Sequence, residues 1–272
     1  MKKPWLRKRG RRWGPEQYHK GMYIIPSFFT ISNIFCGFFS ITSAIRGDFE
    51  VAGILIGIAM ILDTLDGRIA RMTHTTSAFG VQLDSLADVI TFGVAPGILC
   101  YQWAFVAFQD PLLRRAGWLI CFLFLICAAS RLARFNVQTT GLPDKRYFVG
   151  LPTPPAAGMV ASTVFCFPDG FGKNYPLLIA TLLVMFLLSF LMVSRIKYRS
   201  FKDINLKQPH SWRVVVLMAA AIIGVLIHPQ IGLLILAALY VVSGMVGYLF
   251  GRRKSHTEAP VTPPVAEQPK AN

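Results

Sequence analysis

Four aspartates carry the chemistry this chain is able to do. Asp63 and Asp66 are spaced i, i+3, and Asp84 and Asp88 are spaced i, i+4. All four fall within 26 positions of a 272-residue chain that has only 13 acidic residues. On helices, each pair shares a face. Four carboxylates brought side by side cannot all stay ionised without cations. Hard divalent ions with oxygen ligands, Mg²⁺ or Mn²⁺, supply that counter-charge. No His or Cys falls on these faces, which argues against zinc. Four carboxylates can hold two ions, one or two of the groups bridging, an arrangement suited to phosphoryl transfer.

The neighbouring residues fit the same use. Gly67 and Ala70 lie four residues after Asp63 and Asp66, on the same helix face, and leave room for a bulky ligand. Arg71 follows at the end of that helix, where it can pair with a phosphate. Ser77 offers a hydroxyl in the connector, and Gly80 stands four residues before Asp84. Each residue alone reads equally well as a helix-end acid or a packing glycine. Together they share one face and one membrane side, which favours a common site.

The elements that position them are membrane helices. Apolar residues make up 54% of the chain and charged residues 15%, against about 25% charged in soluble proteins. That composition excludes a soluble globular enzyme, a disordered chain and a fibre. Eight apolar runs are long enough to be read as spans: 23–45, 50–66, 86–108, 116–133, 150–168, 175–194, 213–228 and 230–250. The last two are joined only by His228-Pro229-Gln230, which predicts a tight helical hairpin. The expected fold is therefore all-α and polytopic, with about eight transmembrane helices.

The charge distribution sets the orientation. With the N-terminus in the cytoplasm, 24 of the 28 Lys and Arg fall on the inner side, leaving Arg46, Arg114, Arg115 and Lys173 outside. Both termini are then cytoplasmic, and the net charge of +15 lies against anionic headgroups. This accounts for the basic N-terminus without nucleic-acid binding. Residues 1–22 read as a basic cytoplasmic segment with a retained first helix after it, 23–250 as the transmembrane domain, and 251–272 as a disordered cytoplasmic tail. The five cysteines (Cys36, Cys100, Cys121, Cys127, Cys166) lie in apolar runs and read as small apolar filler.

The stretch Asp63-Thr-Leu-Asp66-Gly67-Arg-Ile-Ala70-Arg71, eight residues, Gly80, three residues, Asp84, three residues, Asp88 resembles the D-x2-D-G-x2-A-R-x8-G-x3-D-x3-D signature of the CDP-alcohol phosphatidyltransferases, with every fixed position present. The resemblance implies a two-metal site in which Asp63 and Asp84 touch both ions, Asp66 the first and Asp88 the second. It also implies that Asp88 is the general base. Gly67, Ala70, Arg71, Ser77 and Gly80 would form the CDP-lipid site. Asn33 resembles the family's nucleotide contact in the first helix, although a buried Asn serves equally as a helix-packing hydrogen bond. No organic cofactor is implied. A homodimer in the inner membrane, with the site facing the cytoplasm, follows by the same analogy.

Further stretches resemble the branch of that family whose acceptor is L-serine and whose donor is CDP-diacylglycerol: Asn33-Ile-Phe-Cys-Gly37, Leu83-Asp-Ser-Leu-Ala-Asp88-Val-Ile-Thr-Phe-Gly93, Ser130-Arg-Leu-Ala-Arg-Phe-Asn136 and Phe148-Val-Gly-Leu-Pro-Thr-Pro-Pro-Ala-Ala157. Arg131 and Arg134, at i, i+3, suit the carboxylate of a serine acceptor, with Asn136 as a further acceptor contact. Glycerol 3-phosphate or inositol phosphate would want arginines as well, and choline is a third alternative, so the acceptor stays open on these residues alone. An ion-coupled transporter is the rival of a different class. Such proteins place their acids near the bilayer midplane, often in repeated halves; here the acids cluster at one face and no repeat is visible.

Overall fold

The computed structural model describes residues 24–73, 78–108, 110–138, 147–170, 174–194, 196–199 and 211–255. The predicted basic N-terminal segment and nearly all of the predicted tail lie outside these residues.

Each of the eight apolar runs forms a helical segment. Helix α1 is Ile24–Arg46 and α2 is Phe49–Thr73. Between them, Gly47 adopts φ +87°, a left-handed value that glycine takes without penalty. The Asp48 N–H closes the turn on the Ser43 carbonyl at 2.9 Å. The chain therefore reverses within two residues, and α1 packs along α2. The Ser40 hydroxyl seals this contact by donating to the Ala52 carbonyl at 2.9 Å.

The third segment is one rod with two changes of winding. Helix α3 (Ala78–Val89) runs into a π-helical turn (Ile90–Val94), then α4 (Ala95–Cys100), then a second π-helical turn (Tyr101–Phe105). It starts at residue 78, not 86 as the apolar pattern predicts, and α2 continues past 66 to Thr73. In both cases the helix extends through polar turns that carry the aspartates, where hydropathy carries no helix signal.

Helix α5 is Pro111–Gln138, α6 is Thr153–Cys166 and α7 is Tyr175–Val193. Two three-residue strands, β1 (Tyr147–Val149) and β2 (Lys197–Arg199), pair antiparallel with Phe148 opposite Tyr198. They add a small ladder to the predicted all-α fold. Gly150 follows β1 at φ +84°, and a Cβ there would lie 2.4 Å from the Met192 carbonyl oxygen. Only glycine fits this corner, which leads the chain from β1 into α6. The C-terminal hairpin is α8 (Ser211–Ile227) and α9 (Pro229–Ser255), linked through His228 as predicted.

The interior is filled by Ile56, Phe92, Leu99, Phe105, Phe124, Leu151, Leu178, Leu188 and other side chains from α1 to α7. The outside is apolar as well: Phe35, Phe38, Ile61, Phe122, Phe186, Phe190 and Leu239 are all exposed. An apolar surface this extensive suits lipid, not water. Among the described residues, five stretches are long and apolar enough to cross a membrane: Phe28–Arg46, Phe79–Phe105, Pro111–Val137, Tyr175–Val193 and Pro229–Val246. The other three helices fall short for visible reasons. Helix α2 carries Glu50, Asp63 and Asp66. Helix α6, with 14 residues, covers about 21 Å at 1.5 Å per residue. Helix α8 has 17 residues.

Candidate active site

Helix α1 packs against both α2 and α3, so the aspartates of those two helices are gathered in front of it. One carboxylate oxygen from each of Asp63, Asp84 and Asp88 lies within 4.8 Å of the others, and all three residues are half-buried. The spacing argument is realised here: residues 21 and 25 positions apart in sequence meet at one point between two helices. Asp66 stands beside this group. It is 6% exposed, its Oδ2 accepts a 2.6 Å hydrogen bond from the Thr30 hydroxyl of α1, and its charge acts on both Asp84 and Asp88.

The group fits a hard divalent cation. Oxygens bound about 2.1 Å from a common Mg²⁺ are at most about 4.2 Å apart, so the observed spacing needs only a small side-chain adjustment. Asp88 Oδ1 is buried without a hydrogen-bond partner, an arrangement that costs free energy unless something binds it. A cation at this point would satisfy that oxygen and offset the repulsion among the carboxylates.

The wall behind the carboxylates is set by close backbone approach. Thr91, in the π-helical turn just after Asp88, donates its hydroxyl to the Asn33 carbonyl at 3.1 Å. One helical turn further along α1, a Cβ on Gly37 would lie 2.5 Å from Thr91 Oγ1 and 3.0 Å from Thr91 Cα. Glycine is therefore what lets α1 touch the π turn, and π turns of this kind recur at functional sites. Asn33 is 1% exposed, and both its Oδ1 and Nδ2 are buried without a hydrogen-bond partner. The helix-packing hydrogen bond that a buried Asn could make is not formed by this amide, which leaves its polar atoms able to accept a partner.

Arg131 of α5, close enough to Asp88 for their charges to interact, is 9% exposed. Its Nη1 donates to the Thr153 hydroxyl at 3.4 Å, and its Nε is buried without a partner. Its charge acts on Asp88 and on the Tyr240 phenol of α9. Arg134 is half-buried one turn further on. The Asn136 amide donates to the Ser85 hydroxyl at 2.8 Å, so it ties α5 to α3 next to the aspartates.

Of the other predicted positions, Gly67 in α2 and Gly80 in the first turn of α3 are half-buried. Ala70 and Arg71 belong to the last turns of α2, their side chains outside the described set, and Ser77 lies outside the described residues. Sequence reasoning missed Thr30, Thr153 and Tyr240. A signal existed for Thr30, which precedes Asn33 by three residues and so shares its helix face. Nothing in the spacing marks Tyr240, which reaches the site from the far end of the chain.

Comparison with known proteins gives this arrangement a lineage. A relative from Helicobacter pylori, a CDP-diacylglycerol–serine O-phosphatidyltransferase, is 39% identical over 236 residues, covering 84% of this chain and 92% of its own. The enzyme of the same description from Bacillus subtilis is 36% identical over 181 residues, 66% of this chain and 93% of its own. An archaetidylserine synthase from Methanothermobacter thermautotrophicus is 38% identical over 176 residues, covering 64% and 69%. The family description CDP-alcohol phosphatidyltransferase matches residues 23–193, a span that holds every aspartate of the cluster together with Asn33 and Arg131. This chain belongs to the CDP-alcohol phosphatidyltransferase family.

Proposed function

We propose that the chain transfers the phosphatidyl group of CDP-diacylglycerol to the hydroxyl of L-serine, giving phosphatidylserine and CMP. The observation that carries this reading is the meeting of Asp63, Asp84 and Asp88 between two helices of a CDP-alcohol phosphatidyltransferase. The names of the relatives favour serine as the acceptor. Arg131, a buried guanidinium with one nitrogen unpartnered, supports that choice because a serine acceptor brings a carboxylate.

Asp63, Asp66, Asp84 and Asp88 would hold two divalent cations, Mg²⁺ or Mn²⁺. When bound, these supply charge neutralisation at the pyrophosphate and at the departing CMP. Gly67, Ala70, Arg71, Ser77, Gly80 and Asn33 seat the CDP-lipid. Arg131, with Arg134 and Asn136, orients the amino acid. Asp88 accepts the proton of the serine hydroxyl as its oxygen attacks the phosphorus that bears diacylglycerol. The bond from that phosphorus to the CMP oxygen breaks on the opposite side. Catalysis here is chiefly positioning and electrostatics.

The same reading includes an inner-membrane protein with eight spans over 23–250, both termini in the cytoplasm, the site at the cytoplasmic face, and a homodimer. The 24-to-4 division of basic residues supports the orientation. The test is an acceptor panel: purified protein, CDP-diacylglycerol and Mn²⁺, offered serine, glycerol 3-phosphate, inositol phosphate or choline. Phosphatidylserine with stoichiometric CMP is the expected product. CMP release with another acceptor but not with serine would overturn the assignment.

A further inference from the structure

A second concavity lies at the other end of α5. Tyr101, Pro111, Arg114, Arg115, Trp118 and Leu119 line a cavity of about 520 Å³. Arg115 and Arg131 are separated by about 24 Å along α5 at 1.5 Å per residue, so this cavity is remote from the carboxylate cluster. Two of the four basic residues outside the basic-rich segments of the sequence meet here. Asp110 is close by and caps the helix, one of its oxygens accepting the Leu112 N–H at 2.9 Å; with two arginines against this one carboxylate the local charge stays net positive.

An apolar track leads away from the two arginines. Trp118, Phe122 and Ile126 follow one another at i, i+4 spacing, with Leu119 and Leu123 beside them, and all five are exposed. The Trp118 and Phe122 rings stack with centroids 5.6 Å apart and planes within 3°, giving a flat wall. A cationic pocket at the end of an exposed apolar face, on a helix long and apolar enough to cross a membrane, has the outline of one occupant: a phospholipid with a negatively charged headgroup.

We propose that this cavity seats an anionic phospholipid, its phosphate on Arg114 and Arg115 and an acyl chain along Trp118, Phe122 and Ile126. The site is separate from the catalytic one and does not depend on the acceptor or on bound metal. Its test is native mass spectrometry of the full chain in detergent, titrated with phosphatidylglycerol or phosphatidylcholine. Wild-type protein retains one phosphatidylglycerol more than phosphatidylcholine. The double variant Arg114→Gln/Arg115→Gln loses about thirtyfold in affinity for that lipid, from the removal of two interfacial cations, and keeps its phosphatidylcholine binding. Arg114→Lys/Arg115→Lys retains most of the preference, which separates lost charge from lost fold. Equal retention of the two lipids by wild-type protein, or undiminished phosphatidylglycerol on the Gln variant, would overturn the proposal. Displacement of the lipid by millimolar inorganic phosphate would overturn it too, by making the pocket a free-phosphate site.

Discussion

Replacing Thr30 with Val removes its hydroxyl, and with it the hydrogen bond to Asp66. The two side chains are nearly equal in shape, and Thr30 is 4% exposed, so the packing of α1 is preserved. What is lost is the 2.6 Å bond to Asp66 Oδ2, made between two buried residues. Hydrogen bonds to charged groups contribute about 1.5–3 kcal/mol, equivalent to about 10- to 100-fold in an equilibrium constant. The structure says where that loss appears. Thr30 holds the orientation of Asp66, and Asp66 sits beside the three-carboxylate group as a proposed cation ligand. Partners that orient a ligand in this way typically contribute 10- to 100-fold in metal affinity or activity. The Mn²⁺ concentration giving half-maximal CMP release is therefore expected to rise about 10- to 100-fold in Thr30→Val, with activity approaching wild type at high Mn²⁺. Thr30→Ser keeps the hydroxyl and is expected to restore most of the difference. Wild-type metal dependence in Thr30→Val would refute this reasoning. So would a Thr30→Ser variant as impaired as Thr30→Val, because the defect would then come from packing.

Three further perturbations test other parts of the site. Asp88→Asn is expected to lower turnover with serine by about 10²–10⁴-fold, the range for loss of a general base, and near-normal turnover would remove that role. Arg131→Gln should raise the serine KM at least about tenfold while the CDP-diacylglycerol KM changes little. Arg131→Lys should rescue only in part, because a point charge does not replace the planar fork; steady-state kinetics in both substrates separates the two effects. Gly37→Ala forces a methyl group to within 2.5 Å of Thr91 Oγ1 and 3.0 Å of Thr91 Cα, and overpacking of this kind costs about 1–3 kcal/mol. A lower thermal unfolding midpoint in detergent is expected, and an unchanged midpoint would show that α1 and the π turn separate freely.

The eight apolar runs were legible as helical segments because long apolar runs favour helices, and five of the described stretches are long and apolar enough to cross a membrane. Where the pattern failed, it failed at the site. Helix α2 continues beyond residue 66 and α3 begins before residue 86 through turns rich in Asp, Gly, Ser and Arg, where hydropathy carries no helix signal and only the i, i+3 and i, i+4 spacing of the aspartates pointed to helix. The convergence of the aspartates followed from helical periodicity together with the placing of both pairs at one membrane side. The bond that orients Asp66 did not, since Thr30 reads as an ordinary polar residue of an apolar helix. The π turn at Ile90–Val94 left no trace in the spacing, and the β1–β2 ladder pairs three-residue strands 50 positions apart, too short for alternation to show. Tyr240 was invisible for a related reason: only the packing of α9 on α6 brings it to Arg131.

The central claim is that the carboxylates of α2 and α3 hold a pair of divalent cations. Manganese titration of the purified chain, followed by electron paramagnetic resonance, tests it directly. Two Mn²⁺ per wild-type chain, magnetically coupled to each other, and loss of the coupled pair in Asp84→Asn are predicted. An Asp84→Asn protein that binds Mn²⁺ with wild-type stoichiometry and coupling, or a wild-type protein that binds none and stays fully active after chelation, would contradict it.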